Sequence, residues 1–459
     1  MQENKMGTMP VGKLLINMSL PMIIAMLVQA FYNVVDTYFV ARISIDAVTA
    51  LSNAFPVQNL MIGVATGTGV GVNALLSKSL GEKNQKRANK VAANGILLAM
   101  VGYCLFLLFG LFFTDLYMNQ MTDKTNVVQM GTDYLMICSV FSFGIFGEIM
   151  FERLMQATGR TVYTMFTQGI GAIINIILDP ILIEGLGPIP AMGVKGAAYA
   201  TVIGQIAAFA VAIILNQLYN KEICVQKEIF HPDLRICGKI YAIGIPSIIM
   251  MAIGSFMTVS MNQILKSIDV TETSVAVFGI YFKLQSFVFM PIFGMNNGLI
   301  PIVAYNYGAQ NRRRMMGVIR YAIIIALSVM TVGMIIFQLV PNQLLMIFQP
   351  ENTDSTLLQT FGVPALRTIS LCFPLAAICI IMGSIFQALG KAINSMFVSI
   401  ARQLIVLIPA AYLLSLSCNV NMVWWSFPIA ELMSLAVSVI LFVILYKRII
   451  SKIPEGANV

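Results

Sequence analysis

Charge is scarce in this sequence: Asp, Glu, Lys and Arg make up only 10% of 459 residues, while 58% are hydrophobic. An average soluble domain carries roughly 25% charged residues, and with a mean hydropathy of +0.84 the composition excludes a soluble globular enzyme. Histidine is all but absent. The single His231 falls in a polar connection, where it reads as a solvated loop residue and a poor proton relay. The seven cysteines are scattered, several within apolar runs (Cys104, Cys138, Cys372, Cys379), with no C-x-x-C or Cys/His spacing, so neither a disulfide nor a metal cluster is expected. No nucleophile-base-metal constellation points to an enzyme.

What the sequence does have is apolar runs of about 20 to 28 residues, each able to cross a hydrocarbon core of roughly 30 Å. Hydropathy places twelve spans at 14–39, 51–77, 91–113, 130–154, 161–183, 193–219, 239–265, 273–304, 317–340, 358–386, 393–416 and 422–446. The runs lack the alternation a barrel strand requires, so the expected class is an all-α polytopic membrane protein. No cleavable signal is expected before the first span, whose apolar run exceeds a signal-peptide core.

The net charge of +8 gains its meaning from position. Of 28 Lys and Arg, 22 are assigned to the side of the N-terminus and five (Arg42, Lys124, Lys195, Lys266, Arg367) to the other, with Lys283 inside a span. The positive-inside bias then puts both termini in the cytoplasm of a cell-membrane protein. The basic charge reads as orientation, and no nucleic-acid partner is expected.

The halves match each other in order. Pro21 pairs with Pro246, "LGEKNQKR" (80–87) with "YGAQNRRR" (307–314), "MQATGRTVYTMF" (155–166) with "FQALGKAINSMF" (386–397), and Pro180 with Pro409, at offsets of 225, 227, 231 and 229. A constant order and offset indicate an internal repeat. Six spans return the chain to its starting side, so the repeats are parallel, giving lobes 1–219 and 239–459 joined by a linker at 220–238. Two such six-helix bundles would flank a central cleft lined by the first, second, seventh and eighth helices and open alternately to either face.

Several strings are together similar to multidrug and toxic-compound extrusion (MATE) transporters of the DinF/MepA-like branch. They are "LPMII", "FYNVVDTYFV", "LGEKN", "QATGR", "NIILDPILI" and "GVKGAAYATVIGQ" in the first half, then "IPIVAYNYGAQN" and "FQALGKA" in the second. The resemblance implies proton- or sodium-driven export of amphipathic, often cationic compounds, by a monomer in the bilayer without a bound cofactor. It also implies a coupling-ion site at Asp36, Asn175, Asp179 and Thr201.

The residues support that site independently. A carboxylate at bilayer depth costs about 2.5–3.5 kcal/mol on insertion scales, so its default reading is functional. Asn175 and Asp179 share a helix face by their i, i+4 spacing, and Pro180 frees a nearby carbonyl. Two carboxylates in one dehydrated pocket cannot both stay charged cheaply, so a proton there belongs to the pair. An all-oxygen pocket suits sodium equally, and the residues leave the choice of ion open.

Glu148, Glu152 and Arg153, near the cytoplasmic end of the fourth span, read as a cytoplasmic gate or as lipid-headgroup contacts in preference to ion ligands. Candidate cleft residues are Gln29, Tyr32 and Asn33 in the first span, and Met257, Phe278, Tyr281, Lys283 and Glu431 in the second half. Lys283 is too deep to snorkel comfortably and is expected to face the interior, with Glu431 as its candidate partner. The glycines of "GVATGTGVGV" (63–72) read as close helix packing. The 31 methionines, Met250, Met251, Met257 and Met261 among them, suit either a promiscuous binding surface or a lipid-facing one. The alternative function is a flippase for lipid-linked oligosaccharide or peptidoglycan precursors. Such proteins commonly need extra spans or a strongly cationic cleft, and a single deep lysine weighs against that.

Overall fold

A computed structural model describes residues 4–185, 190–224, 232–269, 273–347 and 355–455. His231 lies outside the described residues, as does the middle of the expected linker. Helices supply the membrane spans: α1 (Val11–Ala41), α2 (Ile45–Gly81), α3 (Gln85–Phe112), α4 (Thr125–Val140 and Phe143–Ala157), α5 (Thr161–Pro180) and α6 (Val194–Tyr219). The second half repeats the series as α7 (Leu234–Ile268), α8 (Thr273–Gly308), α9 (Arg312–Leu339), α10 (Ser355–Ser370 and Phe373–Ala388), α11 (Ala392–Ser415) and α12 (Ser426–Arg448). The helices overrun the apolar runs because polar caps start them outside the apolar zone. Ser44 accepts from the Ala47 amide, Asn84 from Arg87 and Asn311 from Arg314.

The fourth helix in each half is broken, by 45° in α4 and 50° in α10. Pro374 accounts for the second break, since it offers no N–H to the carbonyl of Ser370. Two π-helical segments are present as well, Ile181–Gly185 directly after Pro180 and Ala401–Leu407 within α11.

Two hydrophobic cores form. One draws on residues between Val40 and Ile240, the other on residues from Ile243 to Ile453. The early turns of α1 (Leu14, Leu15, Met18) and Val70 and Ala74 of α2 join the second core, so α1 and α2 tie the halves together.

The closest approaches between halves lie at the end that bears both termini. A Cβ on Gly81 would overlap the Tyr305 carbonyl, and one on Gly308 the Lys78 carbonyl, so α2 and α8 meet there backbone to backbone. Gly67 likewise abuts the Gly244 carbonyl of α7, which is the close packing the glycine run predicted. Ser19 bonds the Met295 carbonyl at 3.4 Å and Asn306 the Met6 carbonyl at 3.2 Å. Toward the opposite end Phe31, Val34, Tyr38, Phe55, Phe256 and Val259 are exposed.

The described part of the connection between halves is pinned to α3. Asp233 caps α7, its amide donates to Asn94 at 2.9 Å, and Lys90 pairs with its carboxylate at 3.7 Å. Glu222 accepts from Asn4 at 2.7 Å.

Candidate functional site: a carboxylate cluster beside a central cavity

α1 packs along α5, and α5 along α6, which brings Asp36, Asn175, Asp179 and Thr201 into one neighbourhood. The Asn175 amide donates to Asp179 Oδ1 at 3.4 Å and to Thr201 Oγ1 at 3.5 Å. Both contacts are long for hydrogen bonds. Asp179 is fully buried, and the Asp36 carboxylate lies within its electrostatic reach. Three buried oxygens, Asp36 Oδ1, Asp179 Oδ2 and Asn175 Oδ1, meet no donor among the described residues. Buried acceptors normally have partners, so an all-oxygen pocket short of donors is chemically suited to a proton or a hard cation.

Asn175 and Thr201 also line the central cavity, whereas the two carboxylates stand behind them. The cavity measures about 660 Å³, within the range of drug-sized ligand sites, roughly 300–1,000 Å³. Its walls extend well beyond the four helices expected from sequence, taking in α4, α5 and α6 and, across from them, α10, α11 and α12.

Gln29 and Tyr32 line it; Asn33 is exposed on another face of α1. Met22, Met26, Met250 and Met251 contribute thioethers to the wall, while Met257 and Met261 are buried in the second core. Phe278 and Tyr281 correct the expectation of cleft contacts. They are 1% and 2% exposed, with Phe278 stacked on Trp424 at 6.2 Å and Tyr281 packed at a tilt against Phe427 at 6.1 Å, because this face of α8 meets the start of α12.

Lys283 is a second correction. Two residues beyond Tyr281, about 200° around the helix, it is exposed and is not part of the cavity wall. The carboxylate of Glu431 is held instead by Arg402 at 3.4 Å, and Glu431 sits behind the wall.

Glu148, Glu152 and Arg153 do line the cavity. Glu152 is buried, accepting from Thr167 Oγ1 at 2.5 Å and Gln168 Nε2 at 2.9 Å of α5. Arg153 donates to Gln156 at 2.9 Å and, across to the second half, to Asn297 at 2.8 Å. Arg402 is the charged wall residue the sequence reading missed. Counting it with the cytoplasmic loop charges hid the signal, which was an arginine within an apolar run. With Arg153 and Arg402 moved to the cavity, the bias of the remaining basic residues is still 20 against five.

The family model described as MatE matches residues 21–181 and again 246–413. The chain belongs to the MatE family. Its two matched stretches begin at Pro21 and Pro246, the offset of 225 seen for the first internal match. MatE proteins are transporters and not enzymes, and this one is a multi-pass membrane transporter of small molecules. Among curated MatE relatives, it is 26% identical to a FAD transporter of Shewanella oneidensis over 92% of each chain. It is also 26% identical to the multidrug export protein MepA of Staphylococcus aureus, over 95% of this chain and 94% of that one. A structure described as the outward-facing conformation of a multidrug resistance MATE family transporter superimposes with a TM-score of 0.90 at 23% identity, covering 99% of both chains.

Proposed function

We propose that this transporter exports amphipathic small molecules, cationic ones among them, in exchange for protons or sodium ions entering the cell. The observation that carries the reading is the shared wall: Asn175 and Thr201 border the cavity and contact Asp179 or its partner directly. An ion arriving at the carboxylates therefore competes with, or rearranges around, whatever occupies the cavity. Lobes 1–219 and 239–459 rock about the contact between α1, α2, α7 and α8. The tight packing at the terminal end and the exposed apolar side chains at the other support an outward-facing state, given cytoplasmic termini. A cell-membrane location and a monomeric working unit complete the reading. The wall carries Glu148 and Glu152 as well as Arg153 and Arg402, which does not favour a polyanionic lipid-linked substrate.

The test is dye efflux in inside-out vesicles under an imposed proton or sodium gradient. Export that one of the two gradients drives and that its collapse abolishes supports the proposal. Gradient-independent movement overturns it.

A further inference from the structure

The charged groups of the cavity wall differ in how far they are committed. Both oxygens of Glu152 are occupied by Thr167 and Gln168, and Arg153 is turned to Gln156 and Asn297. Glu148, one turn from Glu152, has no hydrogen bond or ion pair among the described residues and lines the cavity from the first half. Arg402 lines it from the second half and spends one nitrogen on the 3.4 Å contact to Glu431. None of its other nitrogens is buried without a partner, so the rest of the fork keeps access to the cavity. The Arg402 side chain is 29% exposed against 8% for Glu431 behind it, so the carboxylate anchors the guanidinium without covering it.

Glu431 and Thr201 are 230 residues apart, within the spacing of the internal matches, and a π-helical segment precedes the helix of each, directly after Pro180 in the first half and within α11 in the second. In the first half this helix pair holds oxygen acceptors; in the second it holds a fixed guanidinium. π-helical insertions are frequent at functional sites, and here the insertion begins one residue before Arg402.

We propose that the cavity carries two opposed charge subsites, Glu148 for a cationic group and Arg402 for a carboxylate or phosphate, and therefore favours substrates bearing both signs over simple cations. This rests on the cavity being the transport site. A monocation in a space of about 660 Å³ gains Glu148 but remains beside an uncovered guanidinium; a zwitterion satisfies both. A planar fork recognises carboxylate or phosphate through paired N–H donors.

The experiment uses the full chain in detergent and three dyes of one framework: rhodamine 110 (cation and carboxylate), its methyl ester rhodamine 123 (cation alone) and fluorescein (no cation). Fluorescence anisotropy reads the affinities. Wild type should prefer rhodamine 110 to both others. Arg402→Gln should lower the preference for rhodamine 110 over its ester by about tenfold, the effect of one charge-assisted hydrogen bond. Glu148→Gln should lower the preference for rhodamine 110 over fluorescein similarly. Because Arg402→Gln strands Glu431, the double variant Arg402→Gln with Glu431→Gln must reproduce the loss. Unchanged preferences in the variants, or a wild type favouring the ester, overturn the proposal. Transport of the ester but not the acid in vesicles removes the subsites alone, whereas failure to bind or move any of the dyes removes the transport reading with them.

Discussion

Arg153 of α4 donates a 2.8 Å hydrogen bond to Asn297 of α8, joining a charged residue of the first half to the second across the floor of the cavity. Its other acceptor, Gln156, is in its own helix, so Asn297 is the one of the two that depends on the halves being together. Hydrogen bonds to charged groups contribute about 1.5–3 kcal/mol, and a buried donor left unpaired costs more than one never buried. Asn297→Ala should therefore destabilise the closed terminal end by that amount. Spin labels at the exposed Lys86 and Lys391 should show a longer-distance population growing about tenfold or more relative to the closed one. An unchanged distance distribution would rule out a gating role for the contact.

The reach of the sequence differs between helix placement and side-chain direction. Twelve apolar runs located the spans, because a bilayer forces one answer on a segment of that length. Asn175 and Asp179 could be placed together since i, i+4 spacing fixes a shared face. Which face of α8 turns to the cavity was not legible: Phe278 and Tyr281 belong to an aromatic cluster with α12, a contact between elements far apart in sequence. The same limit put Lys283 inside. Arg402 was missed for another reason, since a charge count by compartment assigned this arginine, ten residues into the span 393–416, to the neighbouring loop.

The meeting of α2 and α8 at Gly81 and Gly308 leaves no room for a side chain. Gly81→Val should keep the fold, as each helix still spans, but should prevent the terminal end from closing fully. The Lys86–Lys391 distance should lengthen more than with Asn297→Ala, because a backbone overlap cannot be relieved by a rotamer. Efflux should fall at least tenfold. Wild-type transport together with a wild-type distance would show that this contact is dispensable.

Glu222 in the connection between halves offers a pH dependence outside the membrane. Burial raises its carboxyl above the usual range, despite the Asn4 hydrogen bond and the positive charges of Arg160 and Lys5. The folded state then binds the proton more tightly than the unfolded one, so stability is lost as pH rises from the unfolded value through the folded one. Glu222→Gln keeps an acceptor for Asn4 while removing that titration. Its Tm should match wild type at low pH and exceed it by a degree or two at neutral pH. A wild-type slope in the variant would mean that other groups set it.

Asp179 is fully buried, contacts Asn175 at 3.4 Å and lies within reach of Asp36, with Asp179 Oδ2 and Asp36 Oδ1 lacking donors. A negative charge held away from water with so few donors is costly to the fold unless a proton or cation joins it. Asp179→Asn removes that charge and adds an amide able to donate to Asp36, so the protein should fold at least as stably as wild type. It should lose what the charge provides, which is a reason for the pocket to take up an ion. Gradient-driven efflux should drop to background while dye binding in the cavity stays within about threefold, since Asp179 is not part of the wall. Asp36→Asn should behave alike, because either substitution leaves one carboxylate where the site needs two. Wild-type efflux in both variants would dismiss the coupling role of the cluster. Loss of dye binding in step with efflux would mean that the carboxylates shape the cavity itself.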